Sequence, residues 1–361
     1  MLPLVKVVFP PSKELMPLLE SVLYSGQVAE GQQVYEFEEK FGHQFGLPNI
    51  LAMSSGTAAL HAAFTLAGVQ PGDEVISTPM TAEPTNTSIL LCGAKVVWAD
   101  VDPQSGNADP DSIRQSITAR TKAIVVVHYA GYPVRLNEIH AIANEFNIAL
   151  IEDCAHALGA TYDGKPVGSI GDFGIFSFQA IKHMTTVDGG ILTMADHKLM
   201  TVAKKFRWFG MLKGVPRTEV DIDTVGYKYN MNNVNATIGL VQLKHISGVL
   251  DRYISNGRYY DKRFESIPGV DFARCDVVAK PSYWLYTLLS DHAEEIEKAL
   301  NAADVMASKL HRPNNLHSIF DSSKKPLPGL DQFYKRLLHI PCGWWVTDED
   351  RERIVDVIKK G

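Results

Sequence analysis

Cysteine is scarce in this chain of 361 residues. Its 4 cysteines stand far apart, without a CxxC pair or a cysteine–histidine spacing typical of zinc sites. We therefore expect reduced thiols, as in a cytoplasmic protein, and predict neither a metal site nor a disulfide framework. The chain also lacks an apolar run long enough to span a bilayer, and its first residues lack the apolar core of a signal peptide. These absences argue against a membrane partner.

An excess of positive charge is missing as well. The formal net charge is −6 at pH 7, whereas nucleic-acid-binding proteins usually carry a basic patch, so no nucleic-acid partner is expected. The overall composition is that of a globular protein, and the length allows two domains. We predict a large domain over residues 1–248, which includes an N-terminal arm and helix, and a small C-terminal domain over residues 249–361.

Hydrophobic periodicity indicates the fold class. Between about residues 50 and 195, short apolar runs alternate with segments of helical periodicity. This alternation predicts an α/β fold with a mostly parallel sheet flanked by helices. The C-terminal part favours an α+β arrangement, in which the aromatic and aliphatic residues 283–289 are predicted to form a strand.

Residues 151–190 carry the strongest chemical pattern. A buried strand is predicted to end at Glu152 and Asp153, and such acids stand where parallel sheets bind ligands. Further on, Lys182 lies among apolar neighbours, where desolvation lowers a lysine's pKa and makes its amine a nucleophile. An acid, the hydroxyl of Ser177 and a lysine in this order indicate a pyridoxal phosphate (PLP) site. Each of these residues alone could equally be an ordinary surface group.

A second motif supplies a candidate phosphate cup. The apolar residues 50–53 lead into the small residues 54–57, and a helix is predicted to begin at Ala58. The free N–H groups and the dipole of a helix N-terminus favour an anion. Ser-Gly-Thr before a helix is also a common N-cap, so the motif alone leaves both readings open.

Together these motifs closely resemble the sugar aminotransferases of the DegT/DnrJ/EryC1/StrS family, a group of fold type I PLP enzymes. The resemblance extends from about residue 26 to the C-terminus. It implies the fold type I architecture, PLP as the cofactor, and a homodimer with shared active sites. The motifs that carry it are SGTAAL at 55–60, ED at 152–153, FSF at 176–178 with Lys182, GG at 189–190 and GYKY at 226–229.

The resemblance also implies roles for individual residues. Lys182 is expected to anchor PLP covalently and to act as general acid and base. Asp153 is expected to keep the pyridine nitrogen protonated, and its pKa should be depressed by that ion pair. His156 is expected near the ring oxygen or the ring face. The residues expected to hold the phosphate are Ser55, Gly56, Thr57, Ala58, Ser177 and the partner subunit's Asn230.

The expected substrate contacts depend on the resemblance too. The family pattern is close to Pro-Ser-Phe-Thr-Phe/Trp-x-x-Thr, and its second aromatic residue stacks on the cofactor ring. This chain has Ala82 at that position, so Met80, Thr81 or His156 could cover the ring face instead. Met80 and Thr81 are also expected to contact the substrate. The positions at which family members line the substrate mouth correspond here to Arg312, Asn314, Asn315 and His317.

The implied reaction moves an amino group from glutamate or glutamine to a keto-sugar. The product would be an amino sugar for a surface polysaccharide, such as lipopolysaccharide, or for a secondary metabolite. The acceptor is expected to be nucleotide-linked, with a free keto-deoxy sugar acid as the alternative. A PLP-dependent sugar dehydratase is a rival, although such relatives have histidine in place of the lysine. A non-catalytic PLP-binding protein is another rival, and it would need no competent lysine and acid.

Overall fold

The computed structural model describes residues 1–360. The α-helices along these residues are α1 (Ser12–Tyr24), α2 (Gln32–Phe45), α3 (Gly56–Leu66), α4 (Glu83–Leu91), α5 (Pro110–Ser116), α6 (Leu136–Phe146), α7 (Met200–Arg207), α8 (Asn233–Leu243), α9 (Ile246–Phe264), α10 (Ala293–Ala302), α11 (Pro328–Arg336) and α12 (Asp348–Lys360). The β-strands are β1 (Leu51–Met53), β2 (Glu74–Ser77), β3 (Lys95–Trp98), β4 (Thr121–Val127), β5 (Ala149–Asp153), β6 (Thr161–Tyr162), β7 (Lys165–Pro166), β8 (Phe173–Ser177), β9 (Gly190–Met194), β10 (Val270–Phe272), β11 (Ala279–Lys280), β12 (Tyr286–Ser290) and β13 (Leu337–Ile340). No helix among the described residues is both long enough and apolar enough to cross a bilayer.

A seven-stranded sheet forms the centre of the molecule, in the order β1-β9-β8-β5-β4-β2-β3. The pairs from β8 through β5, β4 and β2 to β3 are parallel, whereas β9 runs antiparallel to both of its neighbours. The aliphatic runs of β4 and β5 are buried because helices cover both faces of the sheet. The predicted α/β fold with a mostly parallel sheet flanked by helices is thereby confirmed.

The topology gathers the candidate site residues at one edge of the sheet. Asp153 ends β5 and Ser177 ends β8, while β1 leads directly into the turn before α3. Since β1 and β8 both pair antiparallel with β9, they run in the same direction and end at the same edge. The first residue of β9, Gly190, lies between these two strand ends and pairs with Met53 and Ser177. Ligands of open α/β sheets bind at this edge.

A smaller antiparallel sheet, β10-β12-β13, builds the C-terminal part together with the helices around it. This arrangement agrees with the expected α+β composition. The two parts are interleaved, because β11 pairs with β6, and Leu2 of the N-terminal arm forms a bridge with Val305. The predicted division after residue 248 falls within the first turn of α9, and it stays a prediction.

The strand predicted at residues 283–289 is shorter than expected. It begins at Tyr286, and the residues before it bond to a different part of the chain. Ser282 donates its N–H to the carbonyl of Gly131, and Leu285 donates to that of Ala130. Tyr283 between them has a φ of +50°, which a regular strand does not allow. Residues 282–285 therefore form a bend that is hydrogen-bonded to the loop after β4 of the main sheet.

Candidate active site

A cavity of about 350 Å³ opens at the carboxyl edge of the main sheet. Its volume is in the range of small-molecule sites. The elements that meet there are the N-terminus of α3, the start of α4, the ends of β5 and β8, and the turn after β8. The predicted site residues among its lining are Ser55, Gly56, Thr57, Thr81, Asp153, His156, Ser177 and Lys182.

The N-terminus of α3 forms one wall of the cavity. Ser55 is the N-cap, and its Oγ accepts a hydrogen bond of 3.0 Å from the N–H of Ala58. A Cβ atom on Gly56 would lie 2.9 Å from the Cβ of Ser177, so only glycine allows this close approach. The N–H groups of Gly56 and Thr57 belong to the first turn, where the helix offers no acceptor. The motif is therefore an N-cap that also leaves free N–H donors at the cavity wall.

Asp153 lines the cavity with 3% of its surface exposed. Its Oδ1 accepts a hydrogen bond from the N–H of Ala155, and its Oδ2 accepts one from the hydroxyl of Thr85. Burial raises the pKa of Asp153 despite these bonds and the nearby charge of Lys182. The expected depression of the pKa concerned an ion pair with a bound cofactor, and the chain by itself produces the opposite shift.

Lys182 faces Asp153 from the turn after β8. Burial lowers the pKa of its ammonium group to about 8, and the opposing charge of Asp153 limits the fall. The Nζ atom lies 4.2 Å from the ring centroid of Trp284. A substantial fraction of this amine is therefore neutral and nucleophilic near pH 8, as the sequence pattern predicted.

His156 lies between two other rings. It stacks on Trp284 with ring centroids 4.0 Å apart, and its plane is within 5° of that of His311 at 5.6 Å. Burial, together with the charge of Lys182, holds the pKa of His156 well below its usual value, so its ring is neutral. Its buried Nδ1 has no hydrogen-bond partner within residues 1–360.

Glu152, next to Asp153 in β5, forms hydrogen bonds through its carboxylate to the turn after β7. One carboxylate oxygen accepts hydrogen bonds from the N–H groups of Ile170 and Gly171, and the other accepts from Gly168 and from Nε2 of His128. The carboxylate is fully buried, and these donors hold its pKa low against the effect of burial. Glu152 therefore fixes the turn after β7 to the end of β5, next to Asp153.

Known proteins resemble this chain over nearly its whole length. The model of the DegT/DnrJ/EryC1/StrS aminotransferase family matches residues 11–359. The chain belongs to this family. SpsC of Bacillus subtilis, a spore coat polysaccharide biosynthesis protein, is 31% identical over 96% of this chain and 94% of its own.

Solved structures of family relatives match the whole fold. The sugar aminotransferase CalS13 of Micromonospora echinospora has a TM-score of 0.96 and 37% identity, and the match covers 100% of both chains. Spr1654 of Streptococcus pneumoniae, described as a candidate sugar aminotransferase, has been solved in PLP and PMP forms. Its PMP form matches with a TM-score of 0.89 and 27% identity over 99% of this chain and 97% of its own. The predicted family and its fold type I architecture are confirmed by these matches.

The structure does not bring every residue predicted from the family pattern to the cavity. Met80 is completely buried in the core and is not among the residues that line the cavity. Ala58 is buried as well, and its N–H is already committed to Ser55. For these two residues the expected contacts are not supported, because packing and capping take up the groups concerned.

The C-terminal candidates lie around the cavity rather than in its lining. Arg312 is exposed and donates a hydrogen bond to the carbonyl of Leu316, and Asn315 is half-buried outside the lining. His317 contacts Glu83, which lines the cavity, with 3.8 Å between its Nε2 and the Glu83 carboxylate. Asn230 accepts a hydrogen bond from Lys228 and does not line this subunit's cavity, so its expected phosphate contact depends on a second subunit.

Three residues of the site were not identified from the sequence. Thr85 holds Asp153, while His311 and Trp284 lie against His156. Thr85 was within reach of sequence reasoning, since it belongs to the family pattern that ends in threonine. Trp284 and His311 come from the C-terminal part of the chain and have no local signal, because only the tertiary fold brings them to the site.

Proposed function

We propose that this protein is a PLP-dependent aminotransferase that moves an amino group from glutamate or glutamine to a keto-sugar, most simply a nucleotide-linked one. The product would be an amino sugar for a surface polysaccharide or a secondary metabolite. The observation that carries the proposal is the desolvated amine of the half-buried Lys182 beside the buried carboxylate of Asp153, in one cavity with a helix N-terminus. The polysaccharide role named for SpsC and the sugar chemistry named for CalS13 support the substrate class.

The residues present fit PLP. The cup at Gly56 and Ser177 suits a phosphate, and each oxygen of Asp153 accepts one hydrogen bond here and keeps capacity for another donor. The unpartnered Nδ1 of His156 is a polar atom that a ligand in this cavity can satisfy. When bound, PLP supplies an aldehyde that condenses with amines and a ring that accepts electrons.

The side chains would divide the work as follows. The amine of Lys182 would anchor the cofactor, and with a pKa of about 8 it both takes up and releases protons near neutral pH, as a general acid and base must. The carboxylate of Asp153 would keep a proton on the pyridine nitrogen. The neutral ring of His156 would contact the cofactor ring or its oxygen. The residues proposed to hold the phosphate are Ser55, Gly56, Thr57 and Ser177.

A second subunit is part of the proposal. Among the described residues, Lys182 is the one lysine or arginine in the cavity lining, while Glu83 and Asp188 line it as well. An anionic donor such as glutamate, and a nucleotide-linked sugar, both need further cationic or polar groups. We infer a homodimer in which the partner subunit's Asn230 helps to complete the site. We also infer a cytoplasmic location, which suits the four free cysteines.

Two measurements test the proposal. The purified protein is incubated with PLP, treated with borohydride and digested, and mass spectrometry should find the cofactor fixed to Lys182 and to no other lysine. The visible absorbance of the PLP-loaded protein is then followed with glutamate and with a panel of nucleotide-linked keto-sugars and keto-sugar acids. Glutamate should remove the band and the correct acceptor should restore it. A protein that takes up no PLP, or a Lys182→Arg variant with unchanged amino transfer, would overturn the assignment.

A further inference from the structure

We infer that Trp284 is a positioning residue that holds the amine of Lys182 at its ring and fixes the lysine-bearing turn to the C-terminal part of the chain. This inference rests on the proposed role of Lys182. Trp284 contacts the amine of Lys182, the carbonyl of Ile181 and the ring of His156. It is 1% exposed, so its indole is held by the protein on all sides.

The indole contacts the lysine-bearing turn at two points. The Nζ atom of Lys182 lies 4.2 Å from the ring centroid, which is within the range of a cation–π contact. The indole Nε1 donates a hydrogen bond of 2.9 Å to the carbonyl of Ile181, the residue just before the lysine. One side chain therefore fixes both the backbone and the amine at this position.

The same indole also orients His156. The two rings are 4.0 Å apart and nearly parallel, with 18° between their planes. Because His156 is buried and its ring makes no hydrogen bond through Nδ1 within residues 1–360, stacking is a principal constraint on its orientation. Trp284 thus links Lys182 and His156, two of the residues expected to contact the cofactor.

Trp284 is itself held by the bent segment before β12. Ser282 accepts a hydrogen bond at its carbonyl from Nε2 of His183, and Tyr283 donates its hydroxyl proton to Asp261 over 2.6 Å. A Cβ atom on Gly131 would lie 2.7 Å from the backbone nitrogen of Trp284, so the two backbones meet without a side chain between them. These contacts leave the indole little freedom to move away from the lysine.

The electrostatic consequence is specific to an aromatic ring. The π-face of an indole stabilises a cation, and it does so more strongly when water is excluded. It therefore opposes the desolvation that lowers the pKa of Lys182, in addition to the effect of Asp153. The other titratable groups that face Lys182 are His156, His183 and His311, which burial keeps neutral, and the cavity is also lined by Glu83 and Asp188.

The experiment compares Trp284→Phe with Trp284→Leu in the protein without PLP. Both substitutions remove the indole N–H, but only phenylalanine keeps a ring face. Leucine is smaller, and any water that it admits would raise the pKa of Lys182, against the fall expected from the loss of the ring. Acylation of Lys182 by acetic anhydride is measured against pH by mass spectrometry of its peptide, and Trp284→Met is measured in parallel as a second non-aromatic variant. We expect the midpoint in the leucine and methionine variants to lie about half to one pH unit below that of the phenylalanine variant.

Equal midpoints in the folded aromatic and non-aromatic variants would overturn the inference. Thermal unfolding of each variant shows whether it is folded, and a purely structural role would move the unfolding temperature without separating the midpoints. The result is independent of the proposed function. Failure of the wild-type protein to take up PLP would contradict that function, while the acylation midpoints of the unloaded protein would still test Trp284.

Discussion

Thr85 donates its hydroxyl proton to Oδ2 of Asp153 across 2.8 Å, and both side chains are buried. The hydroxyl of Thr81 lies 2.9 Å from that of Thr85. Because Thr85 donates its hydroxyl proton to the carboxylate, Thr81 must be the donor in this second bond. Thr85 of α4 and Thr81 just before this helix thus hold the acid of the site through two successive hydroxyl groups.

Substitution of Thr85 by valine tests this support. The variant keeps the side-chain shape but removes a hydrogen bond to a buried carboxylate, a loss of about 1.5–3 kcal/mol. We expect PLP affinity to fall about tenfold or more, because the carboxylate meant for the ring nitrogen is less well held and less readily ionised. Fluorescence titration with PLP measures this. The control is Thr87→Val, a half-buried position on the same helix whose hydroxyl bonds to the carbonyl of Glu83 instead of Asp153. Equal affinities of the two variants would contradict the prediction.

Replacement of Lys182 by methionine should stabilise the unloaded protein. The folded-state pKa of Lys182 is about 8, below its unfolded value, so the fold bears the cost of a buried charge at pH 7. The unfolded chain binds the extra proton between the two pKa values, and the wild type therefore gains stability as pH rises from 8 to 10.5. We expect the methionine variant to be more stable by on the order of 1–3 kcal/mol at pH 7.

Chemical denaturation at several pH values checks this expectation for Lys182. The difference between the variant and the wild type should shrink as the pH rises from 8 towards 10.5. A constant difference over that range would show that the lysine titrates normally in the folded chain, and it would remove the basis for its nucleophilic role.

Gly131→Ala should be strongly destabilising. Gly131 has a φ of +95°, and an added Cβ would meet the backbone nitrogen of Trp284 at 2.7 Å, which cannot move like a flexible side chain. Gly164→Ala is a matched control, since Gly164 has a φ of +75° but open space around its Cβ position. We expect a loss of about 1 kcal/mol for the control and at least about 3 kcal/mol for Gly131→Ala. Similar unfolding free energies for the two variants would contradict this account.

Glu152→Gln should also destabilise the fold. The carboxylate accepts four hydrogen bonds, so an amide would place its own donors against two of these N–H groups. We expect a loss of about 3 kcal/mol or more in the free energy of unfolding. Glu145→Gln, which removes an exposed pair with Arg114, should cost less than about 1 kcal/mol. Denaturant titration of both variants gives the comparison, and a small effect at Glu152 would count against its support of the turn.

The main sheet was accessible from the sequence because its strands are continuous apolar runs separated by helical periodicity. Two of those runs end at the site, so Asp153 and the turn at Gly56 were identified together with their strands. Ser177 was identified from the order of acid, hydroxyl and lysine, while the strand that carries it, β8, was not predicted. The resemblance to the family then assigned their expected roles. Local pattern and global fold agree in this part of the chain.

The C-terminal side of the site was less accessible, since it depends on tertiary contacts. The residues at 283–289 have the composition of a strand, but hydrogen bonds to Ala130 and Gly131 bend the first of them towards Lys182. Met80 was a candidate because of its position in the family pattern, where relatives have phenylalanine, yet it packs into the core. Residues that act through long-range packing leave no period or spacing in the sequence from which their position could be predicted.

The pairing of β1 with β9 has a consequence for the newly made chain. Met53 pairs with Gly190, and a Cβ at Gly190 would come within 2.6 Å of the backbone of Ser55. The turn at Ser55 therefore packs directly on this glycine. During synthesis β1 cannot form this pair until β9 has been made, after all the strands that lie between them in the chain. A nascent chain that has not yet reached residue 190 therefore lacks the strand that pairs with β1, and the proposed phosphate site would form only afterwards.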